Sequence, residues 1–278
     1  MTLPLEGHTA LITGGGTGIG LGSAQALVAD GASVVITGRR EEVLNAAADE
    51  LRSAAGGDAQ VAIAPGDVSD EDQVAAAVAV AAELPGRLAI AVASAGDGTL
   101  GPVTGTDGAE WQRVLNVSLT GVFNVFKLAG AAMSDGGGGA LVAVSSIAGK
   151  VTHRHMGPYS VAKAGVDMLV RNTADELGAV GVRANSVNPG IIKTELVAMI
   201  DEADDVGQSY LRNMPISRFG EVADVAAAIR FLAGPESSFI TGVNLSVDGG
   251  QHLRCGPDYS TIAKAMYSGV VPDEILES

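Results

Sequence analysis

The sequence predicts an α/β protein whose parallel sheet is doubly wound, with helices on both faces. Two observations lead there. Short apolar runs that read as buried strands alternate with longer helical patterns along nearly the whole chain. The first such unit, residues 9–37, runs strand, glycine turn, helix, strand, which is a βαβ unit. No internal repeat or linker divides the chain, so one domain is expected, with a core over about residues 5–250 and an extension over 251–278.

The first strand spans Thr9–Thr13 and enters TGGGTGIG, residues 13–20. The generic G-x-G-x-x-G spacing is not met, but Gly14, Gly18 and Gly20 fit T-G-x-x-x-G-x-G. Three glycines at these offsets between strand and helix suit a phosphate loop, because the helix N-terminus that follows offers unpaired N–H groups to a pyrophosphate. A helix over Gly20–Asp30 and a β-branched strand over Ser33–Thr37 complete the unit. At the end of that second strand an NAD enzyme is expected to carry a carboxylate for the ribose hydroxyls. This chain has Gly38, Arg39 and Arg40. A guanidinium there favours a 2′-phosphate through charge-assisted bonds, so Arg39 is the expected phosphate contact; the plainer alternative is that both arginines open the next helix at the surface.

A helix over Glu41–Ala55 and a strand over Gln60–Ala64 precede the loop Gly66-Asp67-Val68. Asp67 is placed to accept from an adenine amino group or to cap the helix starting near Ser69. After a helix over Asp70–Glu83, a fourth strand, Leu88–Val92, leads into Ala93-Ser94-Ala95-Gly96, small residues that let a ribose approach the backbone. One long helix is expected over Gly108–Met133, with Asn116 inside it. An asparagine there is locally unfavourable, so it is either a satisfied core amide or the holder of a water near the reacting centre.

The strand Ala140–Ser145 feeds the segment SSIAGKVTHRHMGPYSVAK, residues 145–163. Tyr159 and Lys163 lie four residues apart on a helix reaching about Gly178, and so share one face. A free phenol titrates near pH 10, too high for base chemistry at neutrality, and a nearby ammonium lowers it. A serine hydroxyl at the strand end then holds the substrate oxygen against the phenol. The basic loop 150–155 between serine and tyrosine either faces solvent or draws anionic substrates. Beyond a strand over Val182–Val187 come Asn188-Pro189-Gly190, Thr194 and an acidic segment through Met214. That segment is long enough for a lid, or is a pair of surface helices. A helix over Glu221–Ala233 and a strand over Val243–Val247 close the core. In the extension, Tyr259, Ile262, Ala263 and Met266 form one apolar helix face that needs a surface, on this subunit's pocket or on a neighbour.

Composition narrows the function classes. A net charge of −15 argues against a nucleic-acid surface, and less strongly against an acidic carrier protein as partner. The one cysteine, Cys255, rules out an intrachain disulfide and gives no sign of an oxidising compartment. No run reads as a membrane span or signal segment, so a cytoplasmic protein without membrane partners is expected. The scattered histidines make a metal site unexpected.

Taken together, these features resemble the short-chain dehydrogenase/reductase family from about Leu5 to Gly250. The resemblance rests on TGGGTGIG, Asp67-Val68, Asn116, Ser146 thirteen residues before Tyr159, Lys163, Pro189-Gly190 with Thr194, and ITGVNLSVDGG. It implies a single-domain Rossmann-type doubly wound parallel sheet of seven strands in order 3-2-1-4-5-6-7. It implies a tetrad in which Tyr159 is the general acid/base, Ser146 orients the substrate oxygen, Lys163 serves both the tyrosine and the nicotinamide ribose, and Asn116 anchors a water. Ser145 is then a structural neighbour. Cofactor contacts are implied for Gly14, Thr17, Gly18, Ile19, Gly20, Arg39, Asp67, Val68, Ser94, Ala95, Gly96, Tyr159, Lys163, Pro189, Gly190, Ile192 and Thr194. The expected cofactor is NADP(H), with NAD(H) as the alternative, and the expected substrate a small carbonyl compound or alcohol. A homotetramer, or a homodimer, is implied. One departure stands out: the family's N-N-A-G after the fourth strand reads Ala93-Ser94-Ala95-Gly96 here, so side-chain bonding by asparagine is lost while the backbone approach survives.

Overall fold

A computed structural model describes residues 3–254, 256–272 and 275. Cys255 lies outside the described residues. The chain runs β1 (His8–Thr13), α1 (Gly18–Ala29), β2 (Ser33–Gly38), α2 (Glu41–Ala54), β3 (Val61–Pro65), α3 (Glu71–Glu83) and β4 (Arg87–Ala93). Then follow α4 (Gly108–Leu115), α5 (Gly121–Asp135), β5 (Gly139–Val144), α6 (Gly157–Leu177) and β6 (Val182–Pro189). The C-terminal third adds α7 (Asp205–Asn213), α8 (Val222–Ala233), β7 (Asn244–Val247) and α9 (Ser260–Tyr267). All seven strands pair in parallel, in the order β3-β2-β1-β4-β5-β6-β7.

The sheet separates two cores because side chains alternate along each strand. Ala10, Ile12, Val34, Ile36, Val142 and Val144 face one way and pack with Leu27 and Val28 of α1, Leu44 and Leu51 of α2, and Ile229 of α8. Leu11, Val35, Leu141 and Ala143 face the other way, against α3, Phe126 and Met133 of α5, and Val166 and Val170 of α6. Burial on both faces is why these strands read as unbroken apolar runs rather than alternating ones. The strand order reverses between β1 and β4, so their carboxyl ends diverge and open a crevice.

One expectation changes and two gain detail. The long helix is not uniform: α4 and α5 are joined through a wide π turn, Asn116–Thr120. The helical run Gly108–Asp135 is long and apolar enough to cross a membrane by length and composition, but half of its apolar window is buried, and α5 packs on β4 and β5. The acidic segment after Thr194 is partly ordered, as a short turn over Glu195–Val197 and then α7. The helix expected in the extension forms as α9, and Tyr259, Ile262 and Met266 of its apolar stripe are exposed.

Candidate active site

A cleft of about 520 Å³ lies over the carboxyl ends of the strands. Its floor is the turn after β1, shaped by two glycines. Gly14 adopts a left-handed φ of 63° and sits against the backbone of Ala95, where a Cβ would stand 3.0 Å away. Gly20 lets the first turn of α1 close on the loop: a Cβ there would lie 2.2 Å from the Gly14 carbonyl oxygen. Thr17, Gly18 and Ile19 complete this wall, at the N-terminus of α1.

The crevice edge after β4 is held by a residue that sequence reading passed over. Thr13 Oγ1 accepts from the backbone N–H groups of Ser94 and Ala95, each at 3.2 Å. The bond fixes the small-residue turn that lacks the family's asparagines. Gly96 follows, close enough to Lys163 that an added Cβ would be 3.5 Å from its Nζ.

Arg39 and Arg40 both border the cleft at the end of β2, as does Asp67 beyond β3. Asp67 does not cap α3; Asp70 does, accepting from the N–H groups of Asp72 and Gln73. Asp67 instead accepts from the N–H and hydroxyl of Ser69, at 2.9 and 2.7 Å. Burial pushes its carboxyl up, but those two bonds and the Arg39 charge outweigh it, leaving the group below its ordinary value. Its neighbour Val68 is pinned from behind by Asn124, whose Nδ2 donates to the Val68 carbonyl at 2.9 Å, a buried contact with no local signature in sequence. Arg40 forms a 3.9 Å ion pair with Glu195 across the cleft mouth. Pro189, Gly190, Ile192 and Thr194 line the wall beyond β6.

Ser146, Tyr159 and Lys163 converge at the inner end of the same cleft. Ser146 begins a tight turn after β5, its hydroxyl accepting from the Ala148 N–H at 3.1 Å. Ser145 points inward and donates to the Lys163 carbonyl at 3.1 Å. Lys163 is buried; its Nζ donates to the Val144 carbonyl at 2.8 Å and stands 5.5 Å from the centroid of the Tyr159 ring. Burial pulls the Lys163 ammonium down to about 8, and the charge of Asp167 opposes that pull. For the Tyr159 phenol, burial pushes the pKa up; a hydrogen bond with Ser146 works against this and Tyr210 works with it. Desolvation of the phenolate is the largest effect on Tyr159, and it acts opposite to the lowering that the Lys163 spacing predicts.

Asn116 does not line the cleft. Its side-chain carbonyl accepts from Gln112 Nε2 at 2.7 Å, on the π turn. Behind it, the Ser118 hydroxyl donates to the Asp97 carbonyl at 2.7 Å, next to the Lys163 end of the site. The basic loop mostly turns away. Lys150 donates to the Asn244 carbonyl and to Ser246, and Arg154 and His155 are exposed. His153 alone turns inward, its ring 6.2 Å from that of Tyr210 on α7.

The family model described as enoyl-(acyl carrier protein) reductase matches residues 14–252. A solved structure of a short-chain type dehydrogenase/reductase from Mycobacterium ulcerans is 43% identical, covers 95% of this chain and 97% of its own, and superposes with a TM-score of 0.89. This chain belongs to the short-chain dehydrogenase/reductase family. Among curated relatives, a galactitol 2-dehydrogenase (L-tagatose-forming) from Cereibacter sphaeroides is 37% identical over 88% of this chain and 95% of its own. A trans-4-hydroxycyclohexanecarboxylate dehydrogenase from Sinomonas cyclohexanicum is 39% identical over 87% and 92%. Family members of this kind are dehydrogenases and reductases of CH–OH groups that use a nicotinamide dinucleotide, and the chain is an oxidoreductase of that class. The cleft suits such a cofactor: Gly14 and Gly20 let the turn after β1 pack against Ala95 and the first turn of α1, which leaves the N-terminus of α1 facing the cleft for a pyrophosphate, and two guanidinium groups stand at one end.

Proposed function

We propose that this protein interconverts a secondary alcohol and a ketone with NADP(H) as its preferred cofactor, Tyr159 acting as general acid/base. The observation that carries this reading is the meeting of Ser146, Tyr159 and Lys163 in the cleft that Arg39 and the glycine turn also border. The dinucleotide, when bound, supplies or accepts the hydride. Gly14, Thr17, Gly18, Ile19 and Gly20 would hold its pyrophosphate, Arg39 its 2′-phosphate, and Asp67 with Val68 its adenine. Ser94, Ala95 and Gly96 on one side, and Pro189, Gly190, Ile192 and Thr194 on the other, would flank the nicotinamide half. Ser146 orients the substrate oxygen, Tyr159 moves the proton at that oxygen, and Lys163 keeps positive charge beside the phenol and the ribose. Asn116, on the π turn behind the cleft wall, would reach the proton path only through a water, since its side chain bonds Gln112 rather than a group in the cleft.

NADP(H) is favoured because no carboxylate ends β2 and a guanidinium does. The competing NAD-dependent reading, an alcohol or steroid-type dehydrogenase, draws on Asp67, whose charge acts on Arg39 and competes for it. A dinucleotide-sensing regulator without turnover is the reading from another class. A cytoplasmic homotetramer, with α9 covered by a neighbouring subunit and 251–278 as an extension of one domain, completes the proposal. The single cysteine fits a reducing compartment. Steady-state turnover with both phosphorylated and unphosphorylated dinucleotides across a panel of ketones and secondary alcohols tests the proposal. A higher kcat/KM with the phosphorylated pair is expected. Equal or lower values favour the NAD reading, and tight binding without turnover favours the regulator.

A further inference from the structure

One turn beyond Lys163 on α6, Asp167 is 5% exposed and lies behind the cleft rather than in it. A carboxylate so deeply placed is costly unless donors and an opposite charge meet it. The Ser186 hydroxyl donates to its Oδ1 at 3.0 Å, and Asn188 Nδ2 donates to its Oδ2 at 2.8 Å. The same amide nitrogen of Asn188 donates to the backbone carbonyl of Ser146 at 3.0 Å. Ser186 and Asn188 are both fully buried on β6, the strand that pairs with β5 and carries the register up to Val144. Lys163, 3% exposed, places its ammonium on the same helix face.

We propose that Asp167 is a positioning residue for the reaction: its carboxylate is the counter-charge of the Lys163 ammonium and, through Asn188, it fixes the backbone of Ser146. One group would thereby set both the charge of the lysine and the placement of the serine that faces the tyrosine. The inference rests on the reading of Lys163 and Ser146 as cofactor and substrate contacts. Other titratable or charged groups lie on the elements packed around the pair. Tyr159 lies beyond Lys163 on α6, and Arg171 lies one turn past Asp167, bonded to Asn244 Oδ1 at 3.0 Å. Lys150 reaches β7 from the turn after β5, and Asp97, beyond β4, is paired with Arg113. Of these charges, it is that of Asp167 that opposes the effect of burial on Lys163.

Asp167→Asn separates charge from bonding. The new Oδ1 takes the Asn188 N–H and the new amide faces Ser186 Oγ. That hydroxyl turns to donate to Asn188 Oδ1, already 3.2 Å away, while still accepting from Asn244 Nδ2 at 2.7 Å. Ser186→Ala does the converse, removing a bond and keeping the charge. The side-chain nitrogens of labelled lysines are followed by NMR through a pH titration of the cofactor-free protein, with the Lys163 signal identified by its loss in Lys163→Arg. Fluorescence titration of NADPH and NADH at each pH gives the second readout. In Asp167→Asn the Lys163 midpoint falls by about one pH unit or more, the effect of losing an opposite charge one turn away, and dinucleotide affinity is lost correspondingly earlier as pH rises. In Ser186→Ala both midpoints stay with wild type. Identical titration of wild type and Asp167→Asn, or an equal shift in Ser186→Ala, overturns the proposal. Asp167→Ser repeats the test in less space, and failure of both neutral variants to fold would make Asp167 a structural residue only. A wild-type protein that binds neither dinucleotide would instead defeat the function proposed above, while the lysine titration would still decide the role of Asp167.

Discussion

Lys163 stands over the Tyr159 ring, its Nζ 5.5 Å from the centroid and tied at 2.8 Å to the Val144 carbonyl. The ammonium is thus fixed by the end of β5 rather than by the phenol oxygen. What varies is its charge, because burial has brought its pKa down to about 8.

Dinucleotide affinity should therefore depend on pH through this one group. Below about 8 the lysine is protonated and attracts an anionic cofactor; as pH rises through that value the proton leaves and the attraction goes with it. Binding of NADH, which carries no 2′-phosphate to titrate, should be flat from about pH 6 to 7 and weaken above about 8. Lys163→Ala should be weak at every pH and should lose turnover as well, since the same ammonium serves both. Titration of cofactor fluorescence across the range checks both statements; a wild-type affinity that rises above pH 8 would contradict them.

Arg39→Ala should weaken NADPH by about 1.5–3 kcal/mol, the range for hydrogen bonds to charged groups, and barely alter NADH. Binding titrations with the two dinucleotides separate the outcomes. Equal losses would mean that Arg39 contacts something other than a 2′-phosphate.

Gly20→Ala tests the floor of the cleft. Its Cβ would fall 2.2 Å from the Gly14 carbonyl oxygen, which is backbone and can yield only by moving the turn. A loss of stability of about 1–3 kcal/mol, as for other overpacked sites, should accompany weaker binding of both dinucleotides. Thermal melting and cofactor titration give the two values; unchanged melting and binding would show the turn to be more yielding than its contacts imply.

How far the sequence could be read follows from the range of the interactions involved. Gly14, Gly18 and Gly20 were legible because backbone geometry ties residue type to offset within a few positions. Tyr159 and Lys163 were legible because a helix repeats its face every four residues. The ties that hold the site together were not. Thr13 to Ala95, Asn124 to Val68, and Asp167 to Asn188 each join residues far apart in sequence, through side chains that follow no local pattern. The wide turn at Asn116 was foreshadowed only by a polar residue in an apolar helix, since periodicity does not reveal one extra residue in a turn. The burial that pushes the Tyr159 pKa up is likewise a property of the folded site, whereas the lysine spacing is visible in sequence.

If Tyr159 moves the proton at the substrate oxygen, turnover by Tyr159→Phe, measured alongside cofactor binding, shows it. The ring and its contact with Lys163 remain in this variant while the proton donor goes. Cofactor affinity should stay near wild type, and turnover with any ketone or secondary alcohol accepted by the wild-type protein should fall by about a hundredfold or more, the contribution typical of a positioned acid/base. A Tyr159→Phe protein that binds the cofactor normally and keeps most of the wild-type kcat would mean that another group carries the proton.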